Sequence, residues 1–340
     1  MITLASVARD TTYPDALRAW SLFLVWGPPS HGPRTTVFAR RLGIEPVFVY
    51  STTRRGRWIA PWKYGYQAVA TVLLLLRRRP RIVFVQSPPS FASAVVWLLS
   101  SLLGIRFVID AHSGALDTRV WITPAWLYRA VARAAVATIV TNEHHRDLVE
   151  AQGARALIIR DIPTEFDVGD PPPLGDGFRV MAVSTFAPDE PVAELLAAAE
   201  RLPGVSIHMT GDPKRPGFAM PAHRPDNVHL TGFVPDDQYY GLMHACDAVL
   251  CLTTRDHTMQ RGACEALSMG VPIITSDTAL LRAYFRMGTV HVRNDRDGIR
   301  RGIERMIEDH RRYRAEIREL QALQRDEWDD AVSALIDIVR

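Results

Sequence analysis

The stretch His257 to Asp277, HTMQRGACEALSMGVPIITSD, sets one carboxylate, Glu265, inside an apolar helical pattern that stops at Gly270 and gives way to a β-rich run, Val271 to Thr275. The chain enters it from a strand pattern, AVLCLTT, and a turn, RDH. Thr258 stands where a helix N-cap belongs and Gly270 where a left-handed C-cap belongs, so the spacing predicts a helix over 259–269. The N–H groups of Met259, Gln260 and Arg261 would then be unpaired at the positive end of the helix dipole, which is an anion site. Arg261 and Arg255 bring full charges suited to phosphate. Glu265, deeper in the same helix, can accept hydrogen bonds from paired hydroxyls such as those of a ribose. The plain alternative is an amphipathic crossover helix with a surface glutamate, and periodicity by itself does not separate the two.

In the first half, IDAHSG ends a strand pattern with Asp110 and His112. Asp110 either serves as a base or holds His112; a structural aspartate at a strand end is the alternative. Other pairs carry less. Asp295-Arg-Asp297 spells an Asp-x-Asp that could hold a divalent cation through phosphates, but acids at this spacing arise often by chance and these precede the terminal helices. His144 and His145 read as a helix surface. Cys246, Cys251 and Cys264 have apolar neighbours and read as buried thiols in a reducing compartment rather than metal ligands or a disulfide framework.

The elements that must position these groups are an alternation of strand and helix. LFLVW, EPVFVY, RIVFVQ, RFVIDA, ATIVT and ALIIR are strand patterns separated by helix-length segments, which means βαβ units and a parallel sheet. The Pro, Gly and acid-rich DIPTEFDVGDPPPLGDG reads as a linker, after which RVMAVS, SIHMTGD, NVHLTGF, AVLCLTT and TVHVRN restart the alternation. Beyond Asp297 the pattern is helical and highly charged; residues 1 to 20 show no clear pattern. At 340 residues two domains are expected: 1–165, 166–310 and, packing back across their junction, C-terminal helices over 311–340. Ligands of open parallel sheets bind beyond the carboxyl ends of strands, and the candidate residues all follow strands.

Hydrophobic residues make up 47% of the chain, as in an ordinary globular protein. No signal peptide is expected, and the apolar runs AVATVLLLL and FASAVVWLLSSLLGI fall short of the roughly 20 residues of a spanning helix, so a cytoplasmic protein is expected. Net charge is only +3, yet Lys and Arg against Asp and Glu give 20 − 10 = +10 up to Glu165 and 20 − 27 = −7 beyond it. In the basic half, Arg54, Arg55, Arg57, Lys63 and Arg77 to Arg79 bracket Trp58, Trp62, Tyr64 and Tyr66, a pattern suited to an anionic membrane surface. Against this, Val69 to Leu76 must partly face the core. No nucleic-acid partner is expected.

GACEALSMGVPIITSD, preceded by NVHLTGFVPDDQYYGLMHACDAVLCLTT, resembles the donor-binding half of GT-B glycosyltransferases, glycosyltransferase family 4 (group 1) above all. The resemblance implies an α/β fold of two Rossmann-like domains facing across a cleft, with C-terminal helices. It implies that Glu265 binds the nucleotide ribose and that the turn before it meets the donor. Where the family carries a first glutamate on a donor-sugar hydroxyl, this chain has His257. Where the family places an arginine and a lysine on the diphosphate, VSTFAPDEP offers Thr185, Asp189 and Glu190, which leaves Arg261 and Arg255 to meet the phosphates. GPPSHGPRTTVFARRLG matches the glycine-rich loop of the first domain, with Gly27, His31, Gly32 and Arg34 on the acceptor side. His112 matches a histidine that faces the donor sugar and, with Asp110, is the expected catalytic residue.

The implied activity is transfer of a sugar from a UDP- or GDP-sugar to a glycan or lipid-linked acceptor, with retention of configuration, no metal and no cofactor, in cell-surface polysaccharide or glycolipid biosynthesis at the inner face of the plasma membrane. A nucleotide-sugar 2-epimerase-like enzyme on the same architecture, or a non-catalytic subunit that binds sugar nucleotide, are the alternatives.

Overall fold

The computed structural model of the chain describes residues 2–4, 20–29, 33–52, 56, 58–161, 163–221 and 223–340. Two compact units emerge, Met1–Asp161 with Asp330–Arg340, and Ile162–Asp329.

The first unit is built on strands β1 (Ile2–Leu4), β2 (Ser21–Val25), β3 (Pro46–Val49), β4 (Ile82–Ser87), β5 (Arg106–Ala111), β6 (Ala137–Val140) and β7 (Ala156–Ile158). They form one sheet in the order β1-β3-β2-β4-β5-β6-β7. Every pairing is parallel except that of β1, which runs antiparallel on β3. All six residues of β4 are buried, as expected of a strand covered by helices on both faces. Between the strands run α1 (Pro33–Arg41), α2 (Ala60–Arg78), α3 (Ser90–Leu103), α4 (Ser113–Asp117), a 3-10 turn over Arg119–Ile122, α5 (Ala125–Ala134) and α6 (Glu143–Glu150). α3 stops where Gly104 takes φ 64°, a left-handed C-cap. Gln67 of α2 is buried and donates to the Val49 carbonyl at 2.7 Å, tying that helix to the end of β3.

The second unit repeats the design with β8 (Phe178–Ala182), β9 (Val205–Thr210), β10 (Val228–Gly232), β11 (Ala248–Cys251), β12 (Ile273–Ser276) and β13 (Thr289–Val292). Their order is β10-β9-β8-β11-β12-β13, all parallel. The helices are α7 (Val192–Ala199), α8 (Asp236–Ala245), α9 (Arg261–Met269), α10 (Ala279–Tyr284), α11 (Arg296–Glu308) and α12 (His310–Val339). In each sheet the chain turns outward in opposite directions from a central pair, β2 and β4 in the first and β8 and β11 in the second. Those crevices are where a doubly wound sheet takes ligands.

Helix α12 serves both units. Up to Asp329 it lies on the second, where Glu316 accepts from the Gly288 amide at 3.0 Å and Gln324 donates to the Tyr284 carbonyl at 3.2 Å. Its last residues belong to the first, where Arg106 caps the helix by donating to the carbonyls of Ile338 and Val339 at 2.8 and 2.9 Å.

Several readings change. Ile2–Leu4 is an edge strand that the sequence did not suggest. His145 is fully buried rather than on a surface: its Nδ1 meets the Asn142 amide at 3.0 Å and its Nε2 meets Asp117 at 2.8 Å, while His144 stays exposed. Asp295 is the N-cap of α11, accepting from the Gly298 amide at 2.7 Å, and Asp297 pairs with Arg296 and Arg300, so the Asp-x-Asp serves a helix start. The three cysteines are free and buried as expected, and burial pushes the Cys246 thiol up to about 12.

His208 on β9 is buried beside Ser206 Oγ at 3.0 Å, and burial first, then His229 and Arg179, push its pKa down to about 4. The unfolded chain takes that proton near pH 6.5 and the folded chain does not. The group's contribution to stability is therefore complete above about pH 6.5 and drains away as the pH falls toward 4. Denaturant unfolding at a series of pH values should show the pH slope of stability over that window shallower by up to about one proton in His208→Gln. An unchanged slope would contradict this origin.

Candidate active site

At the carboxyl end of the first sheet four polar side chains meet. Asp110, the last polar residue of β5, is completely buried, and its Oδ2 lies 3.3 Å from His112 Nε2. Thr35 of α1 donates to Gln86 of β4 at 2.7 Å and stands 3.3 Å from the same His112 nitrogen. Thr35 Oγ1 also stands 3.4 Å from Asp110 Oδ2, so Thr35, Gln86, Asp110 and His112 share one hydrogen-bond network around His112 Nε2. A backbone bond from the His112 amide to the Ser87 carbonyl at 2.8 Å fixes the residue between β4 and α4, and a quarter of its side chain remains exposed. The cluster can hold a hydroxyl or move a proton at the His112 ring. Gly27 lies in the buried turn after β2 and Arg34 in the first turn of α1; His31 and Gly32 fall outside the described residues.

In the second unit the loops after β8 and β11 interlock at the crevice. Asp189 accepts from Thr253 Oγ1 at 2.8 Å through its side chain and from the Thr254 amide at 2.7 Å through its backbone. Thr253 is clamped from the other side: its amide donates to Ser276 Oγ at 2.9 Å and its carbonyl accepts from Asn294 at 2.8 Å. Glu190 takes the Ser184 hydroxyl, the Thr185 amide at 3.0 Å and the Thr185 hydroxyl at 2.8 Å. Two non-glycine residues on these loops take left-handed backbones, Phe186 at φ 54° and His257 at φ 59°. Strain of that kind collects where structure is held for a ligand.

The helix that follows differs from the sequence expectation at its start. α9 begins at Arg261 with Gln260 as N-cap, so Thr258 is not the cap; its hydroxyl instead approaches the Asp256 carbonyl at 3.5 Å. The open first-turn amides are accordingly those of Arg261, Gly262 and Ala263, with Met259 and Gln260 in the approach. Glu265 is buried, one turn in. Its Oε2 accepts from Tyr239 of α8 at 2.9 Å and its Oε1 from Arg261 Nε at 2.8 Å. Burial, then Glu265, raise the Tyr239 hydroxyl well above its usual range, and the same causes push Tyr240 up to about 12. Arg255 is held by Asp189 at 3.3 Å. The surface-glutamate alternative is thereby excluded.

Two family matches tile the chain. The family described as Glycosyl transferase 4-like domain matches residues 18–165 and the one described as Glycosyl transferase-like matches residues 190–330. The chain belongs to the group 1 GT-B glycosyltransferases. Its fold is similar to that of sucrose-phosphate synthase from Thermosynechococcus elongatus, at TM-score 0.67 and 14% identity over 94% of this chain and 97% of that one. It is also similar to HepE of Anabaena, solved with UDP and glucose (TM-score 0.64, 14% identity, 92% of this chain and 99% of that one). The HepE complex with UDP-glucose gives TM-score 0.63 and 16% identity over 94% and 97% of the two chains. A search of curated proteins finds no match in sequence.

In this glycosyltransferase the loop with Thr185, Asp189 and Glu190 is acidic, as its sequence reads, and a different loop brings a cation to it. Arg215, after β9, donates from Nη1 to the Thr185 carbonyl at 2.9 Å and to the Thr185 hydroxyl at 3.1 Å. Lys214 and Arg215 are adjacent in GDPKRPG, after a strand pattern of the second half, and that basic pair was the signal available in the sequence. Thr35 and Tyr239 had no such signal, since each sits in the opening turn of a helix that only the fold brings to the site.

Close approach of these loops depends on glycine. A Cβ on Gly211 would stand 2.2 Å from the Ser184 carbonyl oxygen, at φ 95°, and one on Gly262 would meet Val183 Cγ1 at 2.7 Å. Gly217 supplies the comparison, with φ 89° and open space around it. Gly211→Ala should therefore lose clearly more stability in denaturant than Gly217→Ala, whose cost is confined to the backbone term of about 1–3 kcal/mol. Equal losses would show that the approach to Ser184 carries no weight.

Proposed function

We propose that this glycosyltransferase takes its sugar from a nucleotide diphosphate sugar, a UDP-sugar in the first place, bound on the second unit. The observation that carries the reading is the buried carboxylate of Glu265 fixed one turn inside α9, beside the open N-terminal amides of that helix. Two of its roughly four acceptor positions are used by Tyr239 and Arg261, which leaves room for a ribose diol. HepE, the similar fold, binds UDP and UDP-glucose, which supports the same donor class here. Charge builds on the departing diphosphate in the transition state, and the α9 amides with Arg261, Arg255 and Arg215 are the groups placed to meet it. No metal or cofactor takes part in this scheme.

The acceptor is a hydroxyl of a lipid-linked or other glycan, in surface polysaccharide or glycolipid assembly, and transfer proceeds with retention. The bond from the anomeric carbon to the phosphate oxygen breaks, the acceptor oxygen bonds to the same face, and the acceptor proton passes to the departing phosphate. His112, backed by Asp110, Thr35 and Gln86, holds a hydroxyl of the reacting sugars. A peripheral position on an anionic membrane is supported by the surface of α2. Trp62, Tyr66, Val69, Leu73 and Leu76 are exposed at helical spacing, continuing from Trp58, with Arg77, Arg78 and Arg79 exposed at the end. Among the described residues no helix is long and apolar enough to cross a membrane. Arg54, Arg55 and Arg57 lie outside the described residues.

The acidic pair Asp189 and Glu190 favours a second reading, a subunit that binds sugar nucleotide without turning it over. Calorimetry and turnover separate the two. Glu265→Ala should raise the dissociation constant for UDP-sugar about 10- to 100-fold, the loss expected for hydrogen bonds to a charged acceptor. Arg215→Ala and Arg261→Ala should each weaken binding far more than Arg282→Ala, whose guanidinium is tied to Asp277. His112→Ala should cut turnover at least about tenfold with donor affinity preserved. Donor binding without turnover on any acceptor would support the second reading, and no binding of UDP-, GDP- or ADP-sugars would refute both.

Membrane binding has its own test. Co-sedimentation with liposomes should require anionic lipid, fall as salt rises, and drop several-fold in Trp62→Ser with Leu73→Ser. Indifference to lipid charge would defeat it.

A further inference from the structure

The segment that leads into the second unit lies along α8, the helix that supplies Tyr239 to Glu265. Phe166 stacks face to face on Tyr240, ring centroids 4.0 Å apart with 15° between the planes. Three residues on, the Gly169 amide donates to the Asp237 carbonyl at 2.9 Å. A Cβ on Gly169 would stand 3.2 Å from the Asp237 backbone, and one on Gly241 would stand 2.2 Å from the Gly169 carbonyl oxygen. Backbone lies on backbone there, and Gly241, inside a helix where glycine is unfavourable, is what lets the segment come so close. Further along, Leu174 packs against the core that holds Leu242 and Met243 of the same helix.

What the segment touches is tied to α9. Tyr239 and Tyr240 meet at 5.2 Å, nearly at right angles. Tyr239 donates to Glu265 at 2.9 Å, and the Tyr240 hydroxyl lies against the Arg261 guanidinium, which itself donates to Glu265 at 2.8 Å. Each member of the Arg261–Glu265 pair therefore has one of two neighbouring tyrosines beside it. Tyr239 packs against the core of the unit, whereas Tyr240 is half-buried and has Phe166 across its face. The Arg261 side chain is 68% exposed, so a Tyr240 without that ring would leave it free to change rotamer. Ordering a long side chain at the moment of binding costs affinity.

We propose that Phe166 is a positioning residue for the donor: docking of segment 166–174 on α8 fixes Tyr240, and through it Arg261, where the diphosphate is received. This rests on the donor reading of α9 and adds that the segment joining the two units completes that site. Coupling of this kind is reciprocal, so a nucleotide held by Arg261 tightens the segment on α8 by the same factor by which docking tightens the nucleotide.

The test uses the full chain with UDP as the probe, in calorimetry and in amide hydrogen exchange. Phe166→Ala should weaken UDP about three- to tenfold, the worth of one aromatic pair, and Phe166→Tyr, which keeps the ring face, should return it to within about twofold of the wild type. Gly241→Ala improves the helix propensity of α8 and leaves Tyr240 and Arg261 unaltered, but pushes the segment off. It should weaken UDP by a similar factor, and it serves if Phe166→Ala fails to fold. Phe178→Leu, which removes a ring contact to His310 elsewhere in the unit, should leave UDP affinity unchanged. In the wild type UDP should slow exchange of the Gly169 amide, and that gain should vanish in Phe166→Ala. Undiminished UDP affinity in Phe166→Ala or Gly241→Ala, a loss that Phe166→Tyr does not repair, an equal loss in Phe178→Leu, or a Gly169 amide indifferent to bound UDP would overturn the proposal while the donor reading stands. Failure of the wild type to bind UDP would overturn the donor reading and this inference with it.

Discussion

The carboxylate and carbonyl of Asp189 join the two loops on which the rest of the proposed donor site depends. By accepting from Thr253 and Thr254 they lock the end of β11 against the loop after β8, and Ser276 and Asn294 lock it from the far side. Once Thr253 cannot move, the turn through Arg255 and His257 is forced into its left-handed step, and α9 must start at Arg261 with its first amides open. Glycine at 262 then lets that first turn settle against Val183 without a Cβ in the way. An acid in this loop therefore acts as a structural fastener.

That role has an electrostatic consequence. In the proposed donor reading a carboxylate beside the diphosphate repels it unless a cation offsets its charge; Glu190 is fixed by two hydroxyls and an amide of its own loop, which hold it in place without neutralising it. Asp189 is held by Thr253 and offset by Arg255. Arg255 consequently brings less net charge than its position suggests, and Arg261 is similarly offset by Glu265. Among the described residues no carboxylate pairs with Arg215, which is anchored on the carbonyl and hydroxyl of Thr185. Positive charge has moved from one loop of the crevice to the neighbouring one.

The order of strands and helices was legible because parallel strands buried on both faces leave long apolar runs, and RIVFVQ or AVLCLTT can be little else. The carboxyl-end rule drew attention to the segments that follow the strands, and the resemblance to the family implied roles within them for Glu265 and His112. Local signals failed where two elements compete for the same residues. Thr258 looks like a cap, but the strained His257 step delays the helix to Arg261. The His144–His145 pair looks like a surface, but Asp117 and Asn142, distant in sequence or masked by its polarity, bury the second ring. Ile2–Leu4 is a strand only because β3 offers it an edge.

Glu265 shows why a site residue can be buried and already satisfied. Its partners Tyr239 and Arg261 come from two helices, and each spends one hydrogen bond on it, so the carboxylate keeps one rotamer in a position where a free glutamate would sample several. In the proposed donor reading, a ribose diol meets an acceptor that has little ordering entropy left to lose. Burial and Glu265 itself keep the Tyr239 hydroxyl protonated, so it stays a donor to the carboxylate. Fixed geometry and a fixed acceptor role are what recognition of two adjacent hydroxyls requires, and both are in place before any ligand arrives.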